Sequence, residues 1–120
     1  MPESSGTGFF CYGMAWGVRN GLLDRETYLP IVRKAWTGLV NCVSEEGRVG
    51  WGQSVGDRPA AVKAGDSHEY VTGTFLLAGS EVLRLVKMGW LADSGQKQPG
   101  RVQPAKKMTC FLTSDTATFQ

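Results

Sequence analysis

The fold is decided by residues 3–20, whose sequence is ESSGTGFFCYGMAWGVRN. Either Ser4 or Ser5 is predicted as the N-cap, because a serine hydroxyl accepts a hydrogen bond from an unpaired N–H of the first helical turn. Gly21, directly after the stretch, predicts the left-handed residue that ends many helices. Apolar residues occur almost all round the helix between these ends, which predicts a segment buried on most sides. We therefore expect Trp16 in the core.

Glycines recur inside this predicted helix, at Gly6, Gly8, Gly13 and Gly17. Each glycine in a helix interior costs about 0.5–1 kcal/mol relative to alanine, so the isolated helix would be poor. We expect that neighbouring helix backbones approach closely at these positions, where a side chain would block them. Such a helix is typical of an inner layer that has many partners.

A second helix is predicted by the cleanest periodicity in the chain. Its apolar residues form one stripe at the helical period, and they are Ile31, Val32, Ala35, Trp36, Leu39, Val40 and Val43. Pro30 fits the first turn, where its missing N–H is not needed. Trp36 is expected in the core. One buried and one wet face predict an outer helix, and the short connection from the first helix predicts an antiparallel neighbour.

The remainder of the chain divides into a loop, a helix and a tail. Residues 44–67 form a long Gly-rich connection, and long ordered loops in compact domains tend to be functional. Residues 71–88 predict a third helix, apolar and glycine-containing like the first. The predicted order is thus inner, outer, long loop, inner. Residues 89–120 are polar and rich in Gly and Pro, which predicts a disordered tail after a folded domain at 1–88.

Composition excludes several classes of function. The net charge of +2 is too weak to indicate nucleic acid or a membrane surface as a partner. No apolar run approaches the length of about 18 residues that spans a bilayer, and the beginning of the chain does not resemble a signal peptide. The parent protein is expected to be soluble, and the sequence leaves a cytoplasmic and a periplasmic location open.

The three cysteines indicate neither a disulfide framework nor a zinc site. Cys11 and Cys42 lie among apolar neighbours in helical patterns, which favours buried free thiols over a disulfide. The chain has no C-x-x-C, and its single histidine, His68, has no His or Cys partner at metal-ligand spacing. We therefore expect no metal and no cofactor.

Three blocks of sequence together resemble a known family. They are ESSGT with WGVRNG (residues 3–7 and 16–21), LLD with YLP and KAW (22–24, 28–30 and 34–36), and QSVG with EY and GTFLLAGSE (53–56, 69–70 and 73–81). In this order and spacing they resemble the C-terminal part of the unsaturated glucuronyl and rhamnogalacturonyl hydrolases, glycoside hydrolase families 88 and 105. The resemblance covers about residues 3–87.

The resemblance implies an all-α fold, an (α/α)6 barrel of six inner and six outer helices. Six helical hairpins need roughly 200 residues or more, so this chain would supply about three helices of the barrel. The implied reaction is hydration of the double bond of an unsaturated uronic acid at the non-reducing end of an oligosaccharide. A carboxylic acid protonates the alkene and activates water, and the resulting hemiketal collapses. No residue matches the motif of the family's catalytic Asp, so the catalytic residues are unknown and the chain alone is expected to be inactive.

Six residues are candidates for substrate binding: Ser4, Ser5, Gly6, Trp51, Gln53 and Tyr70. The first three lie at a predicted helix N-terminus, where hydroxyls and unpaired N–H groups suit a uronate carboxylate; the alternative is a plain N-cap. The aromatic rings could stack on a sugar and the glutamine could bond its hydroxyls; the alternative is ordinary loop packing.

Four other polar residues are interpreted structurally. His68 is expected to be a solvent-facing loop residue, and Glu81 a hydrogen-bond acceptor inside the third helix rather than an acid catalyst. Asp57 and Asp66 are expected to form turns, although tuning of a carboxyl pKa could make either one functional.

A second hypothesis is a small helical binding module without catalysis, whose glycine-rich faces pair with another chain. Both hypotheses leave apolar helix faces exposed, which favours self-association. The sequence upstream in a parent protein would discriminate between them, because a hydrolase carries an Asp-bearing helix and loop there.

Overall fold

A computed structural model describes residues 2–56 and 58–91, and this part of the chain forms three α-helices. They are α1 (Ser5–Arg19), α2 (Arg25–Val40) and α3 (Glu69–Lys87). The described residues contain no strand, and a single antiparallel bridge joins Val43 to Val49 in the long loop. The all-α prediction is confirmed for these residues. Of the tail predicted for residues 89–120, residues 92–120 lie outside the described residues, whereas Leu91 is 5% exposed and packs in the hydrophobic core.

Helices α1 and α3, which the sequence predicts as inner helices, run parallel and pack closely. Gly8 near the start of α1 faces Thr74 of α3, and a Cβ on Gly8 would lie 2.6 Å from the Thr74 Oγ1. Near the other end of α1, Arg19 reaches Glu81, seven residues further along α3, with 2.7 Å between Nε and Oε2. The close backbone approach predicted from the glycines is thus confirmed at Gly8. The close approach does not occur at every glycine of α1, because a Cβ on Gly13 would meet nothing within 4 Å.

Glu81 connects the helices through a buried carboxylate. Its side chain is 2% exposed and accepts hydrogen bonds from the guanidinium groups of Arg19 and Arg84. Three charge-assisted bonds, two from Arg19 and one from Arg84, compensate a carboxylate removed from water, as buried charges require. Glu81 therefore has the structural role expected from its position inside the helix.

Helix α2, predicted as an outer helix, begins one turn earlier than predicted. The Asp24 carboxylate accepts a hydrogen bond of 2.7 Å from the Thr27 N–H, and so Asp24 caps a helix that starts at Arg25. This hydrogen bond lowers the Asp24 pKa. Pro30 consequently lies inside α2 and not in its first turn. The prediction placed the helix start at Pro30, because proline is favoured in a first turn. The start is instead determined by the Asp24 cap.

Trp36 is partly buried and packs against the core that the sequence predicted for it, whereas Trp16 is exposed. The Trp36 ring stacks on Phe75 with 5.1 Å between centroids and covers Gly79. Trp16 is 40% exposed, and Phe9 and Phe10 of the same helix are more than half exposed. The expectation that α1 is buried on most sides is therefore wrong for the described residues, because α2 and α3 cover only part of its circumference.

The two cysteines predicted as free thiols differ in their bonding state. Cys11 is free and fully buried, its thiol lies 3.8 Å from the carbonyl oxygen of Val32, and burial raises its pKa to about 12. Cys42 is buried but disulfide-bonded, so the prediction is wrong for that residue. The helical pattern that placed Cys42 inside α2 ends earlier, at Val40.

Candidate functional site

The N-terminal ends of α1 and α3 are joined by residues 50–53 of the loop, here called the bridging segment. The Ser4 N–H donates to the carbonyl oxygen of Trp51 at 2.9 Å, and the Ser4 hydroxyl donates to that of Gly50 at 2.6 Å. On the other side, Gly52 lies against the first turn of α3, where a Cβ would be 2.6 Å from Val71 Cγ2. The candidate residues at the start of α1 and those in the loop are thus brought to one end of the helices.

Glu3 occupies the N-terminus of α1. Its carboxylate accepts hydrogen bonds from the Ser5 N–H at 2.7 Å and the Gly6 N–H at 2.9 Å, and also from the Ser5 hydroxyl. A negative charge is favourable at this end of a helix dipole. Any second carboxylate at Ser5 and Gly6 would have to displace Glu3.

Ser4 is the N-cap residue of α1 as predicted, but the predicted capping hydrogen bond is not made. The Ser4 hydroxyl is turned instead to Gly50 in the bridging segment. Ser4 and Ser5 are both buried. The partner of the Ser4 hydroxyl lies 46 residues away along the chain, and local sequence carries no signal for such a contact.

Gln53 and Tyr70 hold the loop to α3. The Gln53 side-chain amide donates to the Ala60 carbonyl at 2.7 Å, and its oxygen accepts from the Ala60 N–H at 3.0 Å, which closes the turn between these two residues. The Tyr70 hydroxyl donates to the Gln53 carbonyl oxygen. The polar atoms of both side chains are therefore used within the protein, whereas the Tyr70 ring remains partly exposed.

Trp51 has an unusual backbone conformation. Its φ is +61°, and it is the one non-glycine residue with positive φ in the described part of the chain. A non-glycine residue in the left-handed region is costly because Cβ crowds the backbone. The side chain is partly exposed, so Trp51 combines a strained backbone with an accessible ring.

His68 does not face the solvent as the sequence predicts. It is the N-cap residue of α3, its ring stacks on Tyr70 with 6.0 Å between centroids, and its Nε2 is buried without a hydrogen-bond partner among the described residues. Sequence reasoning missed this position because the burial depends on the Tyr70 ring and the loop.

Asp66 forms a turn as predicted, since its carboxylate accepts from the Lys63 N–H at 2.8 Å. Asp57 lies outside the described residues.

A separate groove of about 620 Å³ runs along α2 and is lined in part by Arg25, Pro30, Arg33 and Trp90. The Arg25 guanidinium lies over the Trp90 ring, 4.7 Å from its centroid. None of the six candidate substrate-binding residues lines this groove.

The described residues contain no cluster of three His, Cys, Asp or Glu side chains that could hold a metal ion. None of the three described helices combines the length and the hydropathy of a membrane span.

Comparison with known proteins identifies the family. Residues 1–86 match the sequence profile of Glycosyl Hydrolase Family 88. The chain belongs to glycosyl hydrolase family 88. The resemblance seen in the sequence is thereby confirmed, and the match contains all six candidate substrate-binding residues. Their roles in binding remain predictions.

Curated relatives and solved structures agree with family 88. The chain is 53% identical over 83 residues to an unsaturated 3S-rhamnoglycuronyl hydrolase of Formosa agariphila, covering 69% of this chain and 22% of the relative. It is 49% identical over 82 residues to a protein of the same description from an Alteromonas species, covering 68% and 20%. The structure of a family 88 glycosyl hydrolase from Bacteroides vulgatus aligns with a TM-score of 0.65 at 41% identity, covering 70% of this chain and 25% of that protein. A structure described as a polysaccharide lyase aligns with a TM-score of 0.67 at 41% identity, covering 72% and 26%. The chain thus spans about a fifth of the length of these curated relatives.

Proposed function

We propose that this chain supplies one wall of the substrate site of an unsaturated uronyl hydrolase with an (α/α)6 barrel. Membership of family 88 and the names of the curated relatives support the reaction class. The parallel pair α1 and α3, with α2 packed outside them, supports an inner–outer–inner portion of such a barrel. The substrate would be an oligosaccharide that carries an unsaturated uronic acid at its non-reducing end, derived from pectin rhamnogalacturonan or a related polysaccharide.

The bridging segment carries this proposal. It joins the positive N-terminal ends of two helices and carries the partly exposed Trp51, and the Tyr70 hydroxyl bonds the segment at Gln53. Helix N-termini favour an anion such as a uronate, and aromatic faces favour a sugar ring. Ser4, Ser5 and Gly6 would contribute to the anion-binding end, with Glu3 as an internal competitor, and Gln53 would fix the loop or reach a sugar hydroxyl.

The acid that protonates the alkene would come from outside this chain. Among the described carboxylates, Glu3 is bonded to the end of α1, Asp66 to the Lys63 N–H and Glu81 to two arginines. Each of these three groups has a structural partner that a general acid would have to leave, and Glu69, exposed in the first turn of α3, is tested by the assay of the chain alone. We therefore expect the chain alone to bind substrate without hydrating it.

Loss of the alkene's ultraviolet absorbance tests the proposal. The purified chain is incubated with an unsaturated uronide disaccharide, alone and after addition of the remaining N-terminal part of a family 88 relative. We expect loss only in the mixture, and the added part by itself serves as the control. Turnover by this chain alone would mean that Asp57, Asp66, Glu69 or Glu81 performs the chemistry. Absence of turnover in the mixture would favour the alternative below.

The alternative is a non-catalytic helical module that associates with another chain. Exposed apolar side chains favour it, among them Phe10 at 56%, Leu76 at 63% and Leu83 at 52% exposure. Light scattering across a concentration series measures the association. Under this alternative, Leu76→Ser with Leu83→Ser reduces the apparent mass.

A further inference from the structure

The residues around Trp51 indicate why its strained backbone is retained. A Cβ on Gly50 would lie 1.9 Å from the Ala64 carbonyl oxygen, and one on Gly52 would lie 2.6 Å from Val71 Cγ2. A side chain at either flanking position would therefore clash with a neighbouring residue, so both positions require glycine. Residue 51 is the position where the backbone conformation itself favours glycine, and there the chain has its largest type of side chain.

The strain is imposed by hydrogen bonds from three parts of the chain. Ser4 bonds the carbonyl oxygens of Gly50 and Trp51, the Gly50 N–H donates to the Cys42 carbonyl at 2.9 Å, and the Gly52 N–H donates to that of Asp66 at 2.9 Å. These bonds fix the backbone on both sides of residue 51. Strained residues that persist under such constraints concentrate at functional sites.

We infer that Trp51 is a sugar-stacking residue whose ring is aimed by Ser4, which acts as a positioning residue and makes no contact with the sugar. This inference rests on the proposed function and assigns the ligand of Trp51 as the pyranose ring of an unsaturated uronide. It also changes the role of Ser4, because the hydroxyl and N–H of that buried residue are both used to hold the bridging segment.

Substitutions at Trp51 separate stability from binding. Trp51→Gly and Trp51→Ala each remove the ring, but only glycine relieves the left-handed backbone. We expect the urea midpoint of Trp51→Gly to exceed that of Trp51→Ala, while affinity for an unsaturated uronide disaccharide, measured by calorimetry, falls roughly tenfold in both. Trp51→Phe keeps a stacking face and retains most of the affinity. Trp16→Ala removes another accessible indole, in the last turns of α1, and leaves the affinity unchanged.

The positioning role of Ser4 has its own readout. Ser4→Ala is expected to shift the Trp51 indole N–H resonance and to weaken binding, whereas Ser4→Thr, which keeps a hydroxyl donor, restores both. Unchanged affinity in Trp51→Gly would overturn the inference and leave the proposed function standing. Absence of binding by the native chain would overturn both. Equal urea midpoints for Trp51→Gly and Trp51→Ala would remove the argument from strain.

Discussion

Alanine at Gly8 and alanine at Gly13 are expected to change the stability in opposite directions, although both glycines lie within α1. At Gly13 the added Cβ meets nothing within 4 Å, so Gly13→Ala gains helix propensity of about 1 kcal/mol. At Gly8 the Cβ would lie 2.6 Å from the Thr74 Oγ1 and 3.0 Å from the Thr74 Cβ. Thr74 is 4% exposed and its hydroxyl donates to the Val71 carbonyl at 3.0 Å, so it has little freedom to turn away.

The net effect at Gly8 follows from two opposing terms. Overpacking of a buried contact costs about 1–3 kcal/mol, and the upper value applies here because a Cβ has no torsion that could relieve the clash. Subtracting the propensity gain of about 1 kcal/mol leaves Gly8→Ala less stable than the native chain by about 2 kcal/mol.

Urea denaturation followed by far-ultraviolet circular dichroism measures both variants. Gly8→Ala is also made in the Thr74→Ala background, where the nearest clashing atom is absent and the cost of the change should fall by at least about 0.5 kcal/mol. If Gly8→Ala stabilises the chain as much as Gly13→Ala does, then α1 and α3 do not approach closely in solution, and the parallel pair is wrong.

Three further predictions concern single side chains. Glu81→Ala removes the charge-assisted bonds of a buried carboxylate and should lower the free energy of unfolding in urea by about 2–3 kcal/mol, with Glu81→Gln intermediate. The hydrogen bond from Thr27 lowers the Asp24 pKa, so its stabilisation is present above the ordinary aspartate pKa and is lost as pH falls through the lowered value. The difference in thermal midpoint between the native chain and Asp24→Ala should therefore shrink in acid, whereas Asp24→Asn keeps a cap that does not titrate in this range. His68→Phe removes a buried nitrogen without a partner and keeps the stacking on Tyr70, so it should raise the free energy of unfolding by about 1 kcal/mol; a decrease would mean that Nε2 is hydrogen-bonded in solution.

The helices were predictable because their signals are local. The apolar stripe from Ile31 to Leu39 located α2, and the left-handed Gly21, with φ of +73°, ends α1 as expected. The capping hydrogen bonds of α1 were not predictable. The Ser4 hydroxyl donates to a carbonyl oxygen of the bridging segment, and the Glu3 carboxylate accepts from the N–H groups of the first turn. The exposure of Trp16 was also missed, because the apolar pattern of a helix predicts burial only if partners surround it.

The candidate site shows the same division between local and distant causes. Residue types alone nominated Trp51, Gln53 and Tyr70, and the structure brings them together through contacts with Ser4 and α3. Their hydrogen-bonding groups did not remain free, because they bond the loop's own backbone. The Gln53 amide and the Tyr70 hydroxyl are used in this way. What such a loop can offer a sugar without loss of its own order is the face of a ring. A sequence can therefore name candidate residues for this site, but whether each one binds ligand or holds the loop depends on contacts that only the fold creates.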